Sequence, residues 1–313
     1  MTAPDYDSLI DAETWAFIRE TDRWYPPETA TYSIDRQREI YNAMCRAFFQ
    51  GYPEGVTATD RALGGVPCRI YETGTPAATV VYFHGGGFVV GGLDSHDDVC
   101  AEICAATQAR VVSVDYRLAP EHKHPAAFND SLAATRAVLA ALPGPIVLAG
   151  DSAGGGLAAA VSHALMPEPR LAGQVLIYPG LGGDVDRGSY RIHENAPMLT
   201  RNDVLFYRET RYEGGEEPPD DVTAAPLWAP SFEGLPPTVA FSAECDPLAD
   251  DARHYCGLIG AEGGRAHWVL EPGLVHGYLR ARRSVARARE SFARITDALG
   301  ALCRGDWPYG GDR

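Results

Sequence analysis

From about residue 66 onward, short β-branched runs alternate with longer stretches of helical periodicity, and this alternation constrains the fold more than any other feature of the chain. The runs predict strands over residues 67–72, 79–83, 110–114, 145–149, 174–178, 237–242 and 267–270. Helical patterns fill about 96–107, 126–141, 153–165, 248–260 and 283–301, several of them stopped by Gly or Pro. Strand and helix in turn predict an α/β fold, a mostly parallel central sheet flanked by helices on both faces. Two segments stand outside the alternation. Residues 1–52 carry amphipathic spacing at Ile34, Ile40, Tyr41, Met44 and Phe48, and residues 182–222 are helical near 200–211 between Gly- and Pro-rich ends. Ligands of α/β sheets bind beyond the carboxyl ends of the strands, so helical additions there are placed to roof a pocket. The expected organisation is a main domain of residues 53–181 and 223–313 with a helical cap built from 1–52 and 182–222.

The sharpest local feature is Gly150-Asp151-Ser152-Ala153-Gly154-Gly155, set directly after the apolar run Ile146–Ala149 and directly before the Ala-rich stretch Leu157–Leu165. Strand, tight turn and helix in that order suit a strained turn that exposes a serine, with Gly150 and Gly154 supplying the small residues the turn needs. The turn puts Ser152 at a helix N-terminus, where unpaired N–H groups favour negative charge. A second Gly-rich loop, His84-Gly85-Gly86-Gly87-Phe88, closes the run Thr79–Phe83. Its N–H groups at Gly85 and Gly86, joined by that of Ala153, are expected to form an oxyanion hole for a carbonyl oxygen under attack. A phosphate-binding loop is the rival, but no Lys-Ser/Thr pair and no GxGxxG pattern follows.

A serine hydroxyl is a weak nucleophile at neutral pH and needs a base. His276, past the last strand and the Pro272-Gly273 turn, is the expected base. His122, His124, His193 and His254 lie on loops or helices out of order, and His267 sits within a strand. Asp246, at a strand end before Pro247, is expected to orient the imidazole; Asp250 and Asp251 fall inside the following helix, and Glu244 is a lesser substitute. The chain order Ser, Asp, His matches the α/β-hydrolase arrangement.

Together with "HGGGF" and "GDSAGG", the segments "DYRLAPEHKHPAAFND" (115–130), "GLPPTVAFSAECDPLADDA" (234–252) and "HGYL" (276–279) resemble the hormone-sensitive-lipase-like family of α/β-hydrolases, which includes many bacterial carboxylesterases. The resemblance spans roughly residues 35–300. It implies an α/β-hydrolase fold with a helical cap and catalysis by Ser152, Asp246 and His276. It further implies oxyanion donors at Gly85, Gly86 and Ala153, hydrolysis of short-chain acyl esters without metal or cofactor, and frequent dimerisation. His84 would shape the loop rather than react. Residues 1–30 and the tail after 302 carry no part of the resemblance. The same machinery would also serve an amidase or formamidase, and a ligand-binding protein of this fold arises when a member of the triad is lost.

The formal net charge of −15 opposes nucleic acid and anionic lipid as partners, and the serine chemistry makes a small-molecule ester the expected one. Lys123 is the only lysine. No run reaches the roughly 18 apolar residues of a spanning helix, and the acidic start at Asp5, Asp7, Asp11 and Glu13 is unlike a signal peptide, so a cytoplasmic protein is expected. The seven scattered cysteines read as reduced thiols, Cys100 and Cys104 included. Trp15, Phe17, Tyr207 and Tyr212 are candidates to line the pocket, with packing against the main domain as the alternative.

Overall fold

A computed structural model describes residues 4–26 and 28–310 of the chain. Its strands are β1 (Thr57–Leu63), β2 (Val66–Glu72), β3 (Thr79–Phe83), β4 (Arg110–Val114), β5 (Ile146–Asp151), β6 (Leu171–Ile177), β7 (Thr238–Cys245) and β8 (Ala266–Val275). They form one sheet in the order β1-β2-β4-β3-β5-β6-β7-β8. β1 and β2 pair antiparallel, as do β2 and β4; every other neighbouring pair is parallel. The seven expected strands are all present, most of them extended by a few residues, and β1 is an addition that the apolar pattern does not reveal.

The helices are α1 (Tyr6–Leu9), α2 (Ala12–Asp22), α3 (Ile34–Phe48), α4 (Asp97–Thr107), α5 (Ala126–Ala141), α6 (Ala153–Leu165), α7 (Gly188–Ile192), α8 (Arg201–Arg211), α9 (Ala249–Ala261) and α10 (Ala286–Cys303). Successive side chains of a strand point to opposite faces, so the central strands feed two cores. Val80, Tyr82, Val147 and Ala149 face one core, which α4 and α10 cover with residues such as Ile103 and Leu299. Val81, Phe83, Ile146 and Leu148 face the other, covered by α5, α6 and α9 through residues such as Val138, Leu157 and Ile259. Cover on both faces is what makes β3 and β5 buried throughout rather than alternating.

The two extra segments are helical, as expected: α1, α2 and α3 lie in the first, α7 and α8 in the second. They do not behave as a single layer. Phe17 and Ile18 of α2 belong to the main core beneath the sheet, whereas Tyr41, Met44 and Cys45 of α3 pack with Val89, Val90 and Ala119 near the carboxyl edge. The segments touch directly, with Tyr6 Oη 3.1 Å from His193 Nδ1. All seven cysteines are buried and free. No helix among the described residues is long and apolar enough to cross a membrane.

Candidate active site

Register decides what meets at the carboxyl edge of the sheet. Phe83 of β3 lies opposite Gly150 of β5, which sets the loop 84–88 beside the turn at Ser152. Cys245 of β7 lies opposite Val275 of β8, so Asp246 and His276 leave adjacent strand ends together. Three side chains far apart in sequence thereby converge: His276 Nε2 is 2.8 Å from Ser152 Oγ, and His276 Nδ1 is 2.7 Å from Asp246 Oδ2.

Asp246 is wholly buried, and its other oxygen accepts the Leu248 N–H at 2.9 Å. A carboxylate only accepts, so Nδ1 carries the proton of a neutral imidazole and Nε2 is left to accept from the serine hydroxyl. The other candidates are held elsewhere. Glu244 accepts the Gly273 N–H, Asp250 the Ser189 N–H, and Asp251 the Leu181 N–H and the Tyr190 hydroxyl. His267 stacks on Tyr309 with ring centroids 3.6 Å apart.

Ser152 is the N-cap of α6 and has φ 55° and ψ −120°, a left-handed conformation that a non-glycine residue adopts only under constraint. Two glycines permit it. A Cβ on Gly154 would run into the carbonyls of Phe83 and His84, and one on Gly150 into the backbone of Gly154.

The loop after β3 corrects one expectation. Gly85 does not face the cavity; its N–H donates to Asp151 Oδ1 at 3.0 Å. The physical reason is the Asp151 carboxylate, which turns inward beneath the loop and also takes the Tyr82 hydroxyl at 2.8 Å, with His96 Nε2 at 3.2 Å. Burial pushes the Asp151 carboxyl up, but the His96 ring and the Tyr82 hydroxyl outweigh it and hold the group down at about 2. Gly86, Gly87 and Ala153 line the cavity instead, and among the described residues their N–H groups have no protein acceptor. Sequence reasoning missed Gly87. The signal was the third glycine of the same run, whose φ of 60° and close approach to the Tyr207 ring exclude a side chain.

His84 stacks on Tyr116, centroids 4.2 Å apart, and burial together with His96 lowers its pKa to about 3. It buttresses the loop and does not reach Ser152.

Above these residues lies a cavity of about 420 Å³, the size of a small-ligand pocket. Tyr25, Tyr41 and Met44 of the first extra segment line it, as do Tyr190, Tyr207 and Tyr212 of the second. Tyr207 and Tyr212 thus reach the pocket, while Trp15 and Phe17 pack in the main core.

Residues 80–280 match the family model of the alpha/beta hydrolase fold. The chain is 39% identical over 251 residues to carboxylesterase NlhH of Mycobacterium tuberculosis, covering 76% of this chain and 78% of that one. To the ethyl acetate hydrolase of Pseudomonas putida it is 30% identical over 251 residues, covering 75% and 78%. A crystal structure of an esterase from the bacterial hormone-sensitive lipase family superposes with a TM-score of 0.85 at 28% identity, covering 94% of this chain and 99% of that one. The chain belongs to the hormone-sensitive-lipase-like family of α/β-hydrolases. This α/β-hydrolase is a serine carboxylesterase by class, and among its described residues no cluster of His, Cys, Asp and Glu forms a metal site.

Proposed function

We propose that this α/β-hydrolase cleaves esters with short acyl groups through an acyl-enzyme formed on Ser152. Ser152 Oγ attacks the ester carbonyl carbon as His276 Nε2 takes its proton. The carbonyl oxygen becomes an oxyanion, held by the N–H groups of Gly86, Gly87 and Ala153 at the positive end of α6. Collapse breaks the bond to the alkoxy oxygen, which leaves as alcohol with the proton from His276; water then repeats the sequence and frees the acid. Asp246 holds the histidine tautomer and stabilises the imidazolium. The observation that carries this reading is the pair of contacts linking Ser152, His276 and Asp246, at 2.8 and 2.7 Å. The extra segments are its cap, which supports a closed acyl site because both line the cavity.

Ser152→Ala should lower turnover of 4-nitrophenyl butyrate by about 10³-fold or more with the thermal melt unchanged. Turnover within tenfold of the parent overturns the assignment, as does failure of a fluorophosphonate to label Ser152. Likeness to an ethyl acetate hydrolase and a cavity of about 420 Å³ support small acyl groups, so rates across an acyl series should fall sharply beyond about six carbons. A cytoplasmic setting belongs to the same proposal, supported by seven buried free thiols. So does the homodimer that the resemblance implies; a single 33.7 kDa species in sedimentation overturns it.

A further inference from the structure

Three arginines, Arg208, Arg211 and Arg280, line the cavity over Ser152. Two of them are engaged by the protein. Arg208 pairs with Glu217 at 3.3 Å and donates to the Gly183 carbonyl at 3.1 Å. Arg211 has its guanidinium carbon over the Phe88 ring, 3.6 Å from the ring centre, and donates to the Ala224 carbonyl at 3.4 Å.

Arg280 differs from both. It lies four residues after His276, in the short 3-10 turn Tyr278–Ala281, and its guanidinium folds back over the start of that turn, so that a Cβ on Gly277 would lie 2.7 Å from Arg280 Nη2. Among the described residues it has no carboxylate within ion-pair distance and no hydrogen-bond acceptor for its side chain, and its Nε is fully buried without a partner. Around it stand Tyr25, Tyr41, Tyr178 and Cys45, with the Tyr41 ring centre 5.9 Å from the guanidinium carbon. The contrast with Arg282, two residues on, is direct: that guanidinium is held by Asp98 at 2.6 Å and Glu102 at 2.8 Å. In a chain with 42 acidic residues, an arginine left among tyrosines is not short of available counter-ions.

A guanidinium does not lose its proton in a protein, so Arg280 keeps its charge in an enclosed, aromatic site. Such a charge is destabilising until an anion meets it, and a carboxylate matches the guanidinium fork with two parallel hydrogen bonds. Asp22, Asp203 and Glu217 line the same cavity. Asp203 is tied to the Thr200 cap and Glu217 to Arg208, but their presence opposes a doubly charged group such as phosphate and leaves a monoanion as the ligand that fits.

We propose that Arg280 is a specificity-determining residue that binds a free carboxylate carried by the ester substrate. The substrate class is then a half-ester of a dicarboxylic acid or an acyl ester of a hydroxy acid. The proposal rests on ester hydrolysis at Ser152.

Two matched pairs test it: 4-nitrophenyl hydrogen glutarate against 4-nitrophenyl valerate for the acyl arm, and 3-(butyryloxy)benzoate against its methyl ester for the alcohol arm. The parent enzyme should favour the charged member of at least one pair by roughly 10- to 100-fold in kcat/KM. Arg280→Gln should abolish that preference mainly through KM while leaving the neutral member within about threefold, and Arg280→Lys should restore part of it. The pair that responds identifies the arm. No preference for either charged ester by the parent enzyme overturns the proposal without any variant, and so does an equal loss on charged and neutral members in Arg280→Gln. If the neutral esters turn over independently of Ser152, the underlying reading fails instead.

Discussion

At Ser152 the backbone holds a left-handed conformation that costs a non-glycine residue on the order of 1–3 kcal/mol, and the hydroxyl gains a fixed place between the imidazole and the first N–H groups of α6. Asp246 plays a quieter part, with one oxygen on the Leu248 N–H and the other on His276 Nδ1. Asp246→Asn keeps the size and the Leu248 contact but offers the ring an amide in place of a carboxylate. In the proposed mechanism this variant should lose about 10³- to 10⁴-fold in kcat with little change in KM, because the ring is no longer held in the tautomer that accepts from serine. A kcat within tenfold of the parent would show that the charge of Asp246 does not orient the base. These three residues were legible in sequence because each follows a strand in the order that the chemistry requires. The Gly85 assignment failed for a reason local to Asp151: no spacing rule says that the residue before the serine turns its carboxylate inward and takes the first glycine's N–H. Arg280 was equally silent, since only the folded chain shows that its neighbours are tyrosines.

Among the elements, α5 and α6 were legible to the residue and β3 and β4 likewise, since buried strands and Ala-rich helices carry strong periodicity and clear stops. β1 was not, because it is an exposed edge strand with Leu63 its one buried residue, and its sequence Thr-Ala-Thr-Asp-Arg-Ala-Leu has no apolar alternation. A usable signal lay just beyond it: Gly64 and Gly65, with φ of 60° and 83°, form the two-residue turn that joins it to β2. The strand-turn-helix unit at Ser152 depends on backbone approaching backbone, and this predicts opposite outcomes for two glycines. Gly154→Ala would drive a methyl into the carbonyls of Phe83 and His84, which the sheet holds, so a loss of about 3 kcal/mol or failure to fold is expected in urea titration. Gly257 lies on the exposed face of α9 with open space around its Cα, so Gly257→Ala should add about 0.5–1 kcal/mol. A parent-like midpoint for Gly154→Ala would contradict the close approach of β3 to the turn.

For the molecule as a whole, the way histidines are buried sets how stability follows pH. Five of the nine histidines, His84, His124, His163, His193 and His267, are held below the ordinary value of 6.5, with burial the largest cause in each. His84 falls to about 3 and His163, against Phe232 and Tyr255, to about 4. When the folded value lies below the unfolded one, the unfolded chain takes up the proton first. Stability is therefore intact above pH 6.5 and drains away as the pH falls toward the folded values. At pH 5 each of these two groups withdraws about 2 kcal/mol. Asp251 works the other way: burial outweighs its N–H donors at Leu181 and Gly183 and raises it to about 6, so the folded chain protonates first and regains about 1 kcal/mol by pH 5. Asp151, held at about 2, contributes to acid lability only below its unfolded value of 3.8. The net expectation is an unfolding free energy lower by about 3 kcal/mol at pH 5 than at pH 7.5, before the smaller histidine shifts are added. His163→Gln keeps a polar group for the Tyr255 hydroxyl, now 3.1 Å from His163 Nε2, and removes the titration. Urea titrations at both pH values should show that this variant loses about 2 kcal/mol less than its parent between them; equal losses would show that His163 is not held neutral by the fold.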